Sequence, residues 1–287
     1  MKLTVDHVTL GASRLEALAN AFAAAGLAAD YGGLHSNGIT HMSQVAFDDG
    51  SYVELVSVSR PGQPSPWWQE HIVREGGPCA WAVRVDDVDT AVQRLKVRDI
   101  TVGDATYLER KRPDGKTVEW DLAFVGDLGA GAMHPFIIKD RTARELRVPD
   151  SESVAGSELT GVHKVVLGVD DVAAASEIFQ DAYDLPPPHR SSVEDGRLNM
   201  ALFPGEPLIL ISPATQDGWL ARRLAQFGPT PCAFFSAAGI STRPGNDPNW
   251  ARCRVGAMYA LRGSTANRFC GVGSALSRCS FLSITAG

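Results

Sequence analysis

The chain has 287 residues, 44% of them hydrophobic and 21% charged, with a mean hydropathy of −0.07. That length suits about two domains with cores of their own, and the composition excludes a wholly disordered, fibrous or small disulfide-stapled chain. A net charge of −6 argues against nucleic acid as a partner, because phosphate binding needs a basic footprint.

The polar start Met1-Lys2-Leu3-Thr4-Val5-Asp6-His7 lacks the apolar run of a signal peptide, and the small-apolar stretch from Ala21 to Ala29 is too short to span a bilayer. Five cysteines without metal-type spacing fit a reducing compartment. A cytoplasmic location and no membrane contact are therefore expected.

Three segments share one pattern, a short apolar strand and then apolar residues at i, i+3, i+4, i+7, the mark of an amphipathic helix. They are Leu15/Leu18/Ala19/Phe22, Val88/Ala91/Val92/Leu95 and Val172/Ala175/Ser176/Phe179. Ser13, Asp86 and Asp170 precede them at one offset and are the expected caps, with Glu16 completing a capping box with Ser13. Two or three strand-like runs follow each helix, joined by turn signals such as Asp49-Gly50, Asp114-Gly115, Asp195-Gly196 and Pro204-Gly205. Helix starts at 15, 88 and 172 lie 73 and 84 residues apart, which leaves room for four units. The fourth begins, since Pro78-Cys79-Ala80-Trp81 recurs as Pro231-Cys232-Ala233-Phe234.

Then the pattern stops. Where the second unit continues Val85-Asp86-Asp87-Val88 into its helix, the fourth reads Ala238-Gly239-Ile240-Ser241 and runs into Arg243-Pro244-Gly245. Residues 239–287 hold six Arg, one Asp, no Lys and no Glu, whereas the preceding 238 hold 21 basic and 32 acidic groups. The tail is either a natural basic segment or the product of a reading-frame change near position 239. The organisation expected is a domain over 1–140 made of two units, a charged and Ser-rich linker over 141–159, a third unit and the start of a fourth over 160–238, and the atypical tail.

A strand–helix–three-strand unit used in pairs, with Asp6-His7 on its first strand and Tyr52-Val53-Glu54-Leu55 on its last, resembles the vicinal oxygen chelate superfamily, and most of all its glyoxalase-like branch. Gly32-Gly33-Leu34-His35, Gly38-Ile39-Thr40, Gly77-Pro78-Cys79-Ala80-Trp81 and Arg112-Pro113-Asp114-Gly115 carry the same likeness, which covers about residues 1 to 238. The resemblance implies an α+β fold of paired βαβββ modules of the glyoxalase and bleomycin-resistance kind, in two tandem pairs with the last module degenerate. It is a poor guide to activity, because the superfamily includes lyases, isomerases, extradiol dioxygenases, thiol transferases and drug-sequestering proteins.

In members that are enzymes, two adjacent units build one metal centre, each supplying a first-strand residue and a last-strand carboxylate. The first unit has His7 and Glu54 there, candidates for catalysis or a vestigial ligand pair, or else a hydrogen-bonded pair lining a cavity. The second offers Ala80 and Lys139, the third Lys164 and Ile209, and the fourth Ala233. Strand alternation groups Leu3, Val5, His7 and Thr9 on one face with Tyr52, Glu54 and Val56. His35, Thr40, His41, Tyr52 and Trp120 are the candidate ligand-binding residues.

Trp67-Trp68 cover a sheet edge or form a stacking platform, and Trp81 and Trp120 face either the helix layer or the pocket. His134 is expected at the surface, His71, His163 and His189 at the surface or in turns, and Cys79 and Cys232 in the core. No Walker loop, G-x-G-x-x-G, G-x-S-x-G or H-E-x-x-H sequence is present. The function expected is small-molecule binding without an intact metal centre and with no cofactor. The alternative is a lyase or isomerase of the glyoxalase type using a divalent metal. The partners expected are a small-molecule ligand and, among macromolecules, a second copy of the chain.

Overall fold

The computed structural model describes residues 1–238 apart from 128–129, 156 and 195, together with the backbone of Val255–Met258 and Phe281–Leu282. The frame-change reading of the tail otherwise falls outside the described residues. In chain order the first half comprises β1 (Val5–Gly11), α1 (Leu15–Ala24), β2 (Asp30–Leu34), β3 (Thr40–Ala46), β4 (Tyr52–Val58), α2 (Gln69–Val73), β5 (Gly77–Arg84), α3 (Val88–Lys96), β6 (Thr106–Lys111), β7 (Thr117–Ala123) and β8 (Phe136–Asp140). After α4 (Arg144–Arg147) come β9 (Leu159–Gly168), α5 (Val172–Tyr183), β10 (His189–Val193), β11 (Leu198–Leu202), β12 (Leu208–Pro213), α6 (Trp219–Phe227), β13 (Thr230–Ala238), β14 (Val255–Met258) and β15 (Phe281–Leu282).

The first eight strands form one sheet in the order β2-β3-β4-β1-β5-β8-β7-β6, and the rest a second in the order β10-β11-β12-β9-β13-β14-β15. In the first sheet β4 runs parallel to β1 and β8 parallel to β5, while β1 and β5 meet antiparallel. Two strand–helix–three-strand units thus share a centre, and the sheet curls into an α+β half-barrel until its edge strands approach. Arg110 on β6 donates to the Gly32 carbonyl on β2. Gly32 has to be glycine for this, because a Cβ there would collide with Met42 Sδ and the Arg110 guanidinium.

The helices bury the predicted stripes: Leu15, Leu18 and Phe22 on α1, Val88, Ala91, Val92 and Leu95 on α3, and Val172, Ala175, Ser176 and Phe179 on α5. Those faces meet Val8, Leu10, Val53 and Leu55 from the convex side of the first sheet and Val165 and Leu167 from the second, in one core joining both halves. The caps lie one residue later than expected. Asp87 accepts from the Thr90 amide and Asp171 from those of Ala173 and Ala174. Arg14 holds the first cap position without a side-chain bond, because Ser13 turns away and gives its amide and hydroxyl to Glu75.

Two histidines expected at the surface or in turns belong to packing. His71 is buried and stacks on Phe227 with ring centroids 4.3 Å apart, and burial first, then the nearby Arg223 charge, pushes its pKa down to about 3. His134 lies against Phe179, shares a hydrogen bond between its Nδ1 and the Tyr183 hydroxyl (3.0 Å), and is pushed down to about 4 by burial. Arg223 ties the halves together by donating to the carbonyls of Gly76 (2.9 Å), Pro78 (2.5 Å) and Pro231 (2.7 Å). No helix among the described residues is long and apolar enough to cross a membrane.

Candidate functional site

A cavity of about 60 Å³ opens on the concave face of the first sheet. The alternation that lines it is out of phase with the simple reading at one point. A register irregularity between Val5 and His7 sends Leu3 and Val5 to the helix-side core, while His7 and Thr9 stay on the concave side. On β4 the alternation holds, and Tyr52, Glu54 and Val56 face inward.

The irregularity also buries Asp6 (0% exposed) behind the cavity, where its carboxylate accepts from His7 Nδ1 at 2.7 Å. Arg147 donates to both Asp6 oxygens (3.2 and 2.9 Å), and Arg144 adds a bond at 2.8 Å. Burial alone would raise the Asp6 pKa, but Arg147 first, then His7 and Arg144, hold it well below the carboxylate range. An ionised Asp6 can only accept, so His7 donates through Nδ1 and turns its Nε2 edge toward the cavity.

Glu54 sits beside it. Its Oε2 accepts from Thr9 Oγ1 (2.9 Å) and its Oε1 from His35 Nε2 (3.3 Å). Burial pushes its pKa up, but His35, His7 and Thr9 outweigh that and bring it down to about 2. His35 is aimed from behind, because Thr40 Oγ1 donates to its Nδ1 (2.7 Å) and Asn37 Nδ2 donates to Thr40 (3.0 Å). His7 Nε2 and Glu54 Oε2 are 3.8 Å apart, too far for a hydrogen bond. The Nε2 edge of His7 and the Glu54 carboxylate therefore look onto one space.

Tyr52 stacks on His7 (4.6 Å between centroids), and Arg147 donates to its hydroxyl at 3.0 Å. Burial, more than any neighbouring charge, raises the Tyr52 pKa and keeps the phenol protonated. The walls are Trp67, Trp68, Leu108, Trp120, Phe124 and Phe136.

Of the candidate residues, His7, His35, Tyr52, Glu54 and Trp120 line the cavity, and Thr40 stands one step behind, orienting His35. His41 is not part of it: opposite in parity to Thr40, it faces outward against Tyr31. Trp67 and Trp68 wall the cavity instead of covering an edge, in a turn that holds Trp68 at φ 54° and bonds its Nε1 to the Ala130 carbonyl (2.8 Å). Trp81 lies on the helix side. Lys139 is exposed, while its neighbours Phe136 and Ile138 occupy the inward parity of β8.

Sequence reasoning also missed Asp6, Arg110 and Arg147. Leu108 and Arg110 share the inward parity of β6, and a charged residue at such a position was the available signal. Arg147 comes from α4, in the segment read as a linker, and only the tertiary fold shows where that helix docks.

The fold raises the question of a divalent metal, and the donor set does not fit one. Opposite His7 and Glu54 the second unit supplies Ala80, Ala82, Phe136 and Ile138, none with a ligating atom. The two Glu54 oxygens already accept from Thr9 and His35. Among the described residues no group of three or more His, Cys, Asp or Glu is placed to hold an ion.

Residues 5–183 match the family described as glyoxalase-like domain. The chain belongs to that family. No curated protein matches its sequence. Among solved structures it is similar to a hypothetical protein from Staphylococcus aureus, at 13% identity and a TM-score of 0.54 over 74% of this chain and 86% of that one. It is similar also to a mutant 4-hydroxymandelate synthase from Streptomyces coelicolor, at 12% identity and a TM-score of 0.54 over 90% of this chain and 71% of that one. At such identities the likeness is one of fold, the vicinal oxygen chelate fold.

Proposed function

We propose that this glyoxalase-like protein binds a small molecule in the first-sheet cavity without a metal ion. The observation that carries the reading is the uneven chemistry of the cavity: His7, His35 and Glu54 converge from the first unit, while the second supplies apolar walls and one guanidinium, Arg110, and no metal-ligating atom. An apolar cavity with a few convergent polar groups is the usual profile of a small-molecule site. The test is elemental analysis of the dialysed protein for zinc, nickel, manganese and iron, paired with native mass spectrometry for a co-purifying ligand. The expected result is substoichiometric metal and an organic adduct lost in Leu122→Trp, which fills the cavity. About one tightly held ion per chain, lost on His7→Ala, would replace this reading with a metal-dependent lyase or isomerase.

One observation favours catalysis as a second reading. Asp6 fixes the His7 tautomer and would stabilise its protonated form, as a carboxylate behind a general base does. A bound acid would pass its proton to His7 Nε2, leaving an imidazolium held between Asp6 and Glu54. Turnover would then depend on His7 and survive chelation. His7→Gln, which keeps bulk and removes the base, separates this from simple sequestration.

A further inference from the structure

Arg110 is 5% exposed and lines the cavity. Burying a guanidinium demands compensation by an anion or by several acceptors. Arg147, the other arginine of the cavity, has it in Asp6 and Asp140. Among the described residues Arg110 bonds only the Gly32 carbonyl and, at 3.3 Å, Met42 Sδ, and no ion pair within 4 Å joins it to a carboxylate. Glu54 acts on it only at longer range, and the Glu54 oxygens accept from Thr9 and His35. Burial lowers the Arg110 pKa from its usual range without neutralising it.

From this geometry we infer that the cavity takes a small carboxylate-bearing ligand, with Arg110 as the group that receives the carboxylate. The inference rests on the proposed function and names its ligand class. A guanidinium presents paired N–H donors in the spacing of a carboxylate, and the surrounding tryptophans and phenylalanines keep the site dry enough to strengthen the pair. A single carboxylate suits the site better than a phosphate dianion, since Glu54 keeps its own negative charge in the same cavity. Size sets the other limit. A space of about 60 Å³ is well under the ~150 Å³ that admits benzene, so the guest is a short-chain acid of about two to four carbons.

The test titrates the full chain with propionate and with propionamide, which match in shape and differ in charge, and follows tryptophan fluorescence. Three tryptophans wall the cavity and report on its contents. Propionate is expected to bind at least about tenfold more tightly than propionamide, and Arg110→Gln to bring the acid down to the amide. The comparison on the natural protein stands by itself if Arg110→Gln fails to fold. Equal binding of acid and amide, both lost in Leu122→Trp, would overturn the carboxylate assignment and leave the cavity as a binding site. Binding of neither, or binding that persists in Leu122→Trp, would overturn the cavity reading and this inference with it.

Discussion

The two halves of the chain use one frame and fill it differently. Gly11 on β1 and Gly168 on β9 occupy corresponding places, and the helix that follows each parallel strand pair leans on them: Ile72 of α2 would lie 3.4 Å from a Cβ at Gly11, and Leu220 of α6 2.8 Å from one at Gly168. Cys79 gives its thiol to the Thr9 carbonyl and Cys232 to that of Val166, both at 3.4 Å. On the concave side the likeness ends. Where the first half places His7, Thr9, Glu54 and Val56, the second places Lys164, Val166, Ile209 and Ile211, and the nine residues of α6 press Leu220 and Leu224 onto that face. Lys164 extends its ammonium to the Glu206 carbonyl. The five-residue α2 covers less, so the first face keeps its cavity. The frame is thus carried by small and buried residues at the strand ends, and the chemistry by alternate inward positions that can change without disturbing it.

The sharpest way to break this contrast is through the charges beneath the first face. Arg147→Met would leave the fully buried Asp6 with Arg144 and His7 alone, and Asp140 with one partner fewer. Removing one member of a buried ionic network destabilises by about 3–5 kcal/mol, so a fall of that order is expected in urea-unfolding free energy. The second half has no such network beneath its face among the described residues, and its counterpart is packing. Leu220→Ala should lose about 2–4 kcal/mol through the void it leaves, and should leave propionate titration of the first-sheet cavity unchanged. A change in that titration would mean that the halves are coupled and the contrast is false.

The fold was legible because it rests on periodicity. Leu15/Leu18/Phe22 and its two echoes marked the helices, and the recurrence of Pro-Cys-Ala with an aromatic fell on β5 and β13. That His7, Glu54, Tyr52 and His35 would share one concave lining was legible because they sit on strands, or at a strand entry, whose faces alternate. Asp6 was not, because a bulge cannot be read from alternation, and the same bulge took Val5 out of the site. Arg147 lies 141 residues from Asp6 in the chain, and nothing local to either reports that α4 docks beneath β1.

The halves meet at His71 and His134, and acid should loosen that meeting before it reaches the site. Both histidines are neutral when folded, with pKa values of about 3 and about 4, whereas in the unfolded chain they titrate near 6.5. The unfolded state therefore binds more protons between those values, so stability is fully present above about pH 6.5 and lost as pH falls toward 4. Glu54, brought down to about 2, acts in the same sense from its ordinary range near 4.5 downward. His71→Phe keeps the stack on Phe227 and removes an imidazole whose Nε2 has no partner among the described residues. The melting temperature of the variant should fall less steeply than that of the natural chain between pH 6.5 and 4, while matching or exceeding it at pH 7.5. An unchanged slope would place the acid sensitivity elsewhere.

The smallest effect tests the assignment of faces on β8. In the sequence reading Lys139 was the second unit's counterpart of Glu54. In the fold Phe136 and Ile138 take the inward parity, and Lys139 is exposed opposite Asp121 of β7. An ammonium in solvent loses most of its influence through screening, and substitutions at such positions stay within about 0.5 kcal/mol. Lys139→Ala is therefore expected to change neither unfolding free energy beyond that range nor propionate affinity, and Lys139→Glu to create no metal affinity. A donor for a cation would have to be placed on the inward parity, at Phe136 or Ile138, where it would displace the apolar wall that now faces His7. A clear gain of zinc binding in Lys139→Glu would mean that the strand presents its other face to the cavity, and the apolar wall assigned to β8 would have to be redrawn.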